Sequence, residues 1–249
     1  ADFQSTEMML REFIKMTGTR GILFPPALKM VICIPSGITE VEERAVRDSA
    51  EQSGAKEVRL IHEPMAAAVG IGIDVLDANG NMIVDIGGGT SEIAVIALGG
   101  IVTQKSIKTA GDDFNEDIIE YMRKKHNIYV SESMAEEIKT NVGAAIEDLD
   151  NPPEDYEAYG RDLLLGIPKS VKVNYREIAQ ALNDSITKIE ASVINALELT
   201  PPALSADIYK TGIYLAGGGS LLRGLDKRLT KKTRLKIHVA EDPLRAVAR

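Results

Sequence analysis

A strand-like run closed by three glycines and a hydroxyl residue occurs twice in this chain, as Ile83-Val84-Asp85-Ile86-Gly87-Gly88-Gly89-Thr90 and as Ile213-Tyr214-Leu215-Ala216-Gly217-Gly218-Gly219-Ser220. Such a run has few foldings available. The apolar part buries as a strand, and the glycines let successive backbone N–H groups turn into one concavity. A nest of that kind binds phosphate oxygens without a side-chain charge. Asp85, at the end of the first run, is placed to hold magnesium through water, because that ion keeps several waters and takes one or two carboxylates. A tight hairpin turn with a solvated aspartate is the alternative for one triplet alone, and paired packing of small residues is the alternative for two. The second unit reads as a strand whose glycines open a helix, 220–229, so that a helix dipole also faces the strand end. Neither unit is a Walker A loop, since no Lys-Ser/Thr pair follows, and Leu222 stands where a dinucleotide fingerprint needs its last glycine.

Around these units the pattern alternates between strand and helix. Residues 4–16 read as an amphipathic helix carrying Met8, Met9, Phe13 and Ile14, and 29–35 as a buried strand. Thr39 with Glu42 forms a capping box for a helix to about Ser53, closed by Gly54. A strand over 56–61 and a small-residue helix over 63–72 follow, which implies a parallel α/β layer. Residues 82–108 read as a three-stranded antiparallel meander, and Gly111 to about His126 as a helix. A helix over 134–146, an acidic Pro-bearing stretch of loop or short edge strands, and a strand over 169–174 make 132–179 a small inserted subdomain. A long helix from Tyr175 to about Glu198 stops before Pro201-Pro202. A strand over 212–217, the 220–229 helix, a strand over 235–240 and a short helix from Asp242-Pro243 complete the chain. The expected fold class is α/β, with 1–76 as part of a first lobe, 77–131 plus 180–249 as the core of a second, and 132–179 inserted in it.

Composition narrows the function. With 29 Lys+Arg against 37 Asp+Glu the formal net charge is −8, which argues against a non-specific nucleic-acid binder. The single cysteine, Cys33, leaves no internal disulfide and no thiolate metal cage, and His62, His126 and His238 lack ligand spacing. A reducing, cytoplasmic location fits. No uninterrupted apolar run is long enough to span a bilayer. One short apolar group stands out in a loop: Ile22, Leu23 and Phe24 lie between Gly21 and Pro25-Pro26, where neither helix nor strand periodicity buries all three.

The order of LIHEPMAAAVGIGI (60–73), MIVDIGGGTSEIAVI (82–96), TAGDDFNEDI (109–118), AEEIK (135–139) and YLAGGGSLLRGLDKRL (214–229) resembles the actin-like ATPase superfamily, and within it the MreB family of bacterial actins, over essentially the whole chain. The heat-shock ATPase chaperones share the first two elements, but their insertion is longer than 132–179, and ParM- and FtsA-like relatives fit 201–208 poorly. The resemblance implies the actin-like, ribonuclease H-like fold, with one lobe near complete and part of the other. It implies ATP and Mg2+ as cofactors. Residue by residue, Glu63 matches the acid that orients the attacking water, a role suited to phosphoryl transfer. Asp85 matches the aspartate near magnesium, and Gly87, Gly88 and Gly89 the second phosphate loop. Thr90 matches the threonine near the γ-phosphate, Glu136 and Lys139 the ribose pair, and Gly217, Gly218, Gly219 and Ser220 the adenosine loop. Ile22, Leu23 and Phe24 match a membrane-docking loop. Taken without the resemblance, Glu63 is also a helix N-terminal acid, and Glu136 with Lys139 is also a surface ion pair.

The resemblance further implies an ATP-dependent cytoskeletal filament protein that sits on the inner membrane and organises cell-wall synthesis and rod shape. Its partners would be further copies in head-to-tail protofilaments, inner-membrane lipid and membrane-bound cell-wall elongation proteins, with no nucleic acid. The opening helix starts in mid-stride and the helix from Asp242-Pro243 is barely a turn or two long, so truncation at both ends is expected. The family's first phosphate loop, Asp-x-Gly-Thr, has no counterpart in the sequence, so weak ATP turnover and weak assembly by these 249 residues are expected. A chaperone or sugar-kinase-like ATPase on the same frame, or an interaction module without turnover, are the competing classes, because fold alone does not choose among them.

Overall fold

Two parallel strands around one capped helix build the first unit of the chain. The computed structural model describes residues 3–16 and 28–248, and these group into two compact units, 1–63 and 64–249. In the first, α1 (Phe3–Met16) lies beside α2 (Glu40–Gln52), and β1 (Lys29–Ile34) pairs in parallel with β2 (Glu57–His62), Lys29 opposite Glu57 and Ile34 opposite His62. The expected capping box forms at Thr39: its hydroxyl accepts from Glu42 N–H at 3.3 Å, and Glu42 accepts in return from Thr39 N–H at 3.0 Å. The core here is small, with Ala50, Ala55 and Val58 at its centre. The apolar side chains of α1 named from periodicity do not form part of it: Met8, Met9 and Phe13 are exposed.

The second unit is built on a five-stranded sheet in the order β10-β9-β3-β4-β5. Its members are β3 (Asn81–Ile86), β4 (Ser91–Ala97), β5 (Gly100–Ile107), β9 (Ile213–Ala216) and β10 (Ile237–Val239). The meander expected over 82–108 is present, β3-β4-β5, antiparallel throughout. β9 joins it parallel to β3, with Asp85 opposite Ala216, so the two glycine triplets leave the same edge of the sheet side by side. One face carries α4 (Gly111–His126) and α7 (Asn183–Leu199), which bury Phe114, Ile118, Met122, Ile186, Ile189 and Val193. The other face takes α3 (Glu63–Gly70), whose Ala67 and Ala68 pack with Ile83, Ala94 and Ala216. This packing draws the chain after residue 63 into the second unit, ahead of the boundary expected at 76. Leu98 N–H bonds Asp77 O and Gly99 N–H bonds Val75 O, which holds the segment between them in the same unit.

The region 132–179 contributes α5 (Glu132–Val142), β7 (Tyr156–Asp162), β8 (Pro168–Val173) and α6 (Tyr175–Ala181), and β6 (Ile128–Tyr129) completes a three-stranded antiparallel sheet β6-β7-β8. Its buried side chains, among them Ala135, Ile138, Ala158, Val173 and Ile178, belong to the same continuous core as the five-stranded sheet.

Several sequence expectations are corrected. The helix over 134–146 ends at Val142, because Gly143 turns to extended backbone with its N–H still bonded to Lys139 O. A Cβ at Gly143 would stand 2.1 Å from that carbonyl. Residues 156–162, expected as loop or short edge strands, form a full strand in the middle of its sheet. Charged side chains at 157, 161 and 162 hide it, yet Ala158 alternates into the core. The single helix over 175–198 is two, jointed at Leu182 where no glycine or proline announces a break. Pro201-Pro202 starts a helix as well as ending one: α8 (Pro202–Thr211) has proline in its first turn, where the missing N–H costs nothing. The helix over 220–229 does not begin at the second triplet. A 3₁₀ turn occupies Gly218–Leu221, and α9 (Leu225–Thr233) follows Gly224. No α-helix begins at Asp242-Pro243; a turn there leads to a 3₁₀ turn at Ala246–Ala248. No helix among the described residues is long and apolar enough to cross a membrane.

Candidate functional site

The two glycine triplets are packed against each other at the ends of β3 and β9, and Asp85 is caught between them. A Cβ on Gly217 would stand 2.3 Å from Ile86 O and 2.4 Å from Asp85 Oδ1, and one on Gly219 would stand 2.2 Å from Ile86 Cγ2. Gly217 also has φ 77°, a backbone conformation that L side chains resist. Only glycine allows this approach of the second loop to the first strand. Asp85 is 5% exposed, and its Oδ1 is buried without a hydrogen-bond partner. Burial, reinforced by the facing carboxylate of Glu92, pushes its pKa up to about 6. A buried acceptor of this kind, beside free backbone donors, is suited to a hydrated divalent cation, which would restore the charged form.

The first loop is a tight hairpin connection. Gly87 N–H bonds Thr90 O at 2.9 Å, while the N–H groups of Gly88 and Gly89 donate to nothing among the described residues, and both glycines are exposed. The helix dipole that the sequence pattern assigned to the second triplet belongs to the first. Gly111 N–H and Asp112 N–H, the first donors of α4, bond Gly87 O at 3.1 Å and Gly88 O at 2.8 Å. They hold the loop's carbonyls inward and leave its N–H groups to face out. The Asp112 carboxylate lies within 3.6 Å and 3.9 Å of where Cβ atoms on Gly88 and Gly89 would be. It is a second acid at the loop.

The pair Glu136 and Lys139 on α5 is tied into the same place. Lys139 Nζ donates to Gly111 O at 2.9 Å and to Glu136 Oε2 at 2.7 Å, and Asn115 Nδ2 donates to the same Oε2 at 3.0 Å. Burial pulls the Glu136 carboxyl upward, but the bonds from Lys139 and Asn115 outweigh it and leave the group below its ordinary value. More than a surface ion pair, these residues close a network from α5 through α4 to the glycine loop. Arg223 anchors the far side, its guanidinium donating to Thr140 O at 3.1 Å, so the exit of the second loop is fixed to the end of α5.

The second unit thus brings together Asp85, Gly87, Gly88, Gly89, Thr90, Glu136, Lys139, Gly217, Gly218, Gly219 and Ser220. Ser220 is buried and spends its hydroxyl on Gly217 O at 2.7 Å, shaping the turn from within. Glu63 is the last residue of the first unit and the first of α3. Ile22, Leu23 and Phe24 lie outside the described residues. Asn115 and Asp112 were missed because nothing in their spacing marks them; only the arrival of α5 and the loop gives them partners.

This sheet, with paired glycine loops at one edge, is that of the actin-like ATPases. MreB5 of Spiroplasma citri bound to ADP superposes with a TM-score of 0.94 at 35% identity, covering 100% of this chain and 73% of that one. A MamK double helical filament subunit shares the fold at TM-score 0.81 and 22% identity, covering 99% of this chain and 74% of its own. The chain belongs to the MreB/Mbl protein family, whose model matches residues 1–249. It is 45% identical over 249 residues to the cell shape-determining protein MreB of Escherichia coli (strain K12), covering all of this chain and 71% of that protein. It is 43% identical over 248 residues to Mbl of Bacillus subtilis (strain 168), covering 73% of that one.

The Asp85 environment sets a pH dependence. Its folded-state pKa of about 6 lies above the ordinary 3.8, so the native state holds the extra proton. The stability associated with that proton is complete below about pH 4, falls as pH rises through the interval to 6, and is absent above it. The two-unit displacement corresponds to about 3 kcal/mol. In urea unfolding without divalent cation or nucleotide, Asp85→Asn is expected to match the parent near pH 4 and to exceed it by about 2–3 kcal/mol near pH 7. An advantage that does not grow with pH contradicts the assignment.

Proposed function

We propose that the full-length protein is an ATP-dependent filament protein of the actin type that works in cell shape. The observation that carries this reading is the buried Asp85 carboxyl, its Oδ1 without a hydrogen-bond partner, between two glycine loops, one of which turns its free N–H groups outward. That is a combination for a phosphate with its magnesium. Support comes from the Spiroplasma citri relatives, one bound to ADP and one to AMPPNP, the latter at TM-score 0.91. In this reading Gly87 to Gly89 bind phosphate oxygens and Asp85 holds Mg2+ through water. Thr90 sits near the γ-phosphate and Glu63 orients the attacking water. Glu136 with Lys139 contacts the ribose, and Gly217 to Ser220 line the adenosine. Positioning is most of what phosphoryl transfer asks of a protein.

Self-association has its own surface. Between β7 and β8 the chain carries Leu163, Leu164, Leu165 and Ile167 at a hairpin tip, with Leu164 81% and Leu165 71% exposed. Asp162 holds them there. Its Oδ1 accepts from Leu164 N–H at 2.8 Å and Leu165 N–H at 2.9 Å, and Lys169 Nζ pairs with its Oδ2 at 3.1 Å. Those bonds hold the Asp162 carboxyl below its ordinary pKa. A rigid apolar tip calls for a partner surface, and a second copy meeting it head to tail buries each leucine for about 1.5–3 kcal/mol. Peripheral attachment to the inner membrane through Ile22, Leu23 and Phe24 completes the reading, a weak contact per copy that a filament multiplies. Cell-wall elongation proteins at that membrane would be its further partners.

Two measurements test it. Glu63→Ala in the full-length protein is expected to lower phosphate release by about 10²-fold with nucleotide still bound. Unchanged release removes Glu63 from the chemistry, and release absent from the parent favours an interaction module without turnover. Sedimentation with ATP, with and without anionic liposomes, separates the two surfaces. Leu164→Ser with Leu165→Ser is expected to abolish pelleting of filaments, whereas Leu23→Ser with Phe24→Ser keeps filaments and loses lipid. The reverse pattern, or wild-type behaviour in both, contradicts the assignments.

A further inference from the structure

Asn115 occupies an unusual position for an amide. It lies on the first turns of α4 at 5% exposure, and its Nδ2 donates to Glu136 Oε2. A carboxylate only accepts, which fixes the amide's orientation: nitrogen toward Glu136, oxygen away. That oxygen, Oδ1, is buried and has no hydrogen-bond partner. An unused buried acceptor costs free energy in the free protein. The pair carries a second unused acceptor, since Glu136 has Oε2 taken by Lys139 and Asn115 while Oε1 has no bond in the network described. Two unused acceptors on one bonded pair ask for two donors. Phosphate oxygens and a magnesium ion supply none, whereas the vicinal hydroxyls of a ribose supply two O–H groups.

We propose that Asn115 sets the preference of this site for a ribonucleotide over a deoxyribonucleotide, by holding the Glu136 carboxylate and by offering Oδ1 to a sugar hydroxyl. The inference rests on the reading of Glu136 and Lys139 as the ribose pair. It adds a residue with no motif of its own and gives the pair a chemical selectivity. Lys139 contributes through its bond to Gly111 O, which keeps α5, and so Glu136, in step with the loop that begins α4. The lowered pKa of Glu136 is consistent, because an ionised carboxylate is the stronger acceptor for a hydroxyl.

The test compares ADP with 2′-deoxy-ADP, both with Mg2+, by calorimetric titration of the full-length protein. The parent is expected to bind ADP about tenfold more tightly, the scale of one hydrogen bond to a charged group. Asn115→Leu, close in volume, is expected to bring the two affinities within about twofold, by weakening ADP while leaving 2′-deoxy-ADP little changed. A merely structural role would weaken both nucleotides alike and keep their ratio. Asn115→Ala is the second variant should leucine disturb α4, as judged by circular dichroism. Glu136→Gln separates the two levels of the argument. If it collapses the ratio and both Asn115 variants retain it, the inference on Asn115 is overturned and the ribose reading stands. If the parent shows no preference, or Glu136→Gln and the Asn115 variants all retain it, the ribose reading falls with it.

Discussion

A carboxylate placed out of water, with one oxygen unmatched, is the constraint around which the second unit is arranged. Asp85 ends β3, and everything that touches it is determined by how close it must come to its neighbours. β9 runs parallel to β3 and delivers Gly217 within what would be 2.4 Å of Asp85 Oδ1 for a Cβ. β4 runs back from the hairpin and sets Glu92 opposite Asp85, a second negative group on the same face that raises the cost of ionisation. A fold optimised for the free state would not keep this arrangement, since a buried unpaired charge destabilises strongly and drives the group toward protonation. In the proposed reading, a cation arriving with its phosphates would offset that cost.

The same economy runs through the rest of the site. The first donors of α4 hold the carbonyls of the first loop, Lys139 spans from α5 to the carbonyl of Gly111, and Asn115 holds the acid next to it. The first loop, α4 and α5 therefore meet in hydrogen bonds of ordinary length, and among their side chains Asn115 Oδ1 is left buried without a partner. Because the three-stranded sheet and the five-stranded sheet share one continuous core, α5 cannot move freely against α4 without disturbing Ile138 and Phe114.

Much of this was legible in the residues. The glycine triplets, the meander over 82–108 and the capping box at Thr39 are local, and local chemistry dictates them. What escaped was tertiary. Tyr156 to Asp162 forms a strand because Ala158 reaches the core, not because its composition favours one. Leu182 breaks a helix without a breaker residue, and Pro202 begins one where proline looked like an end. The helix dipole was assigned to the second triplet, since a strand, three glycines and a helical pattern follow in order there. The 3₁₀ turn at Gly218–Leu221 intervenes, and the α4 terminus, separated from the first loop by the whole of β4 and β5, comes back to that loop instead. Asn115 and Asp112 acquire meaning only from what packs beside them.

The ionisation of Asp85 tests the central claim most directly. With the aspartates carrying 13C at the carboxyl carbon, the resonance of Asp85 is followed against pH by NMR, assigned through Asp85→Asn, in the free protein and with Mg2+-ADP. The account predicts a midpoint of about 6 in the free protein, and a fully ionised group down to about pH 5 or lower once Mg2+-ADP is present, because the cation favours the charged form. An ordinary midpoint near 4 in the free protein, or a midpoint that Mg2+-ADP leaves in place, would contradict it.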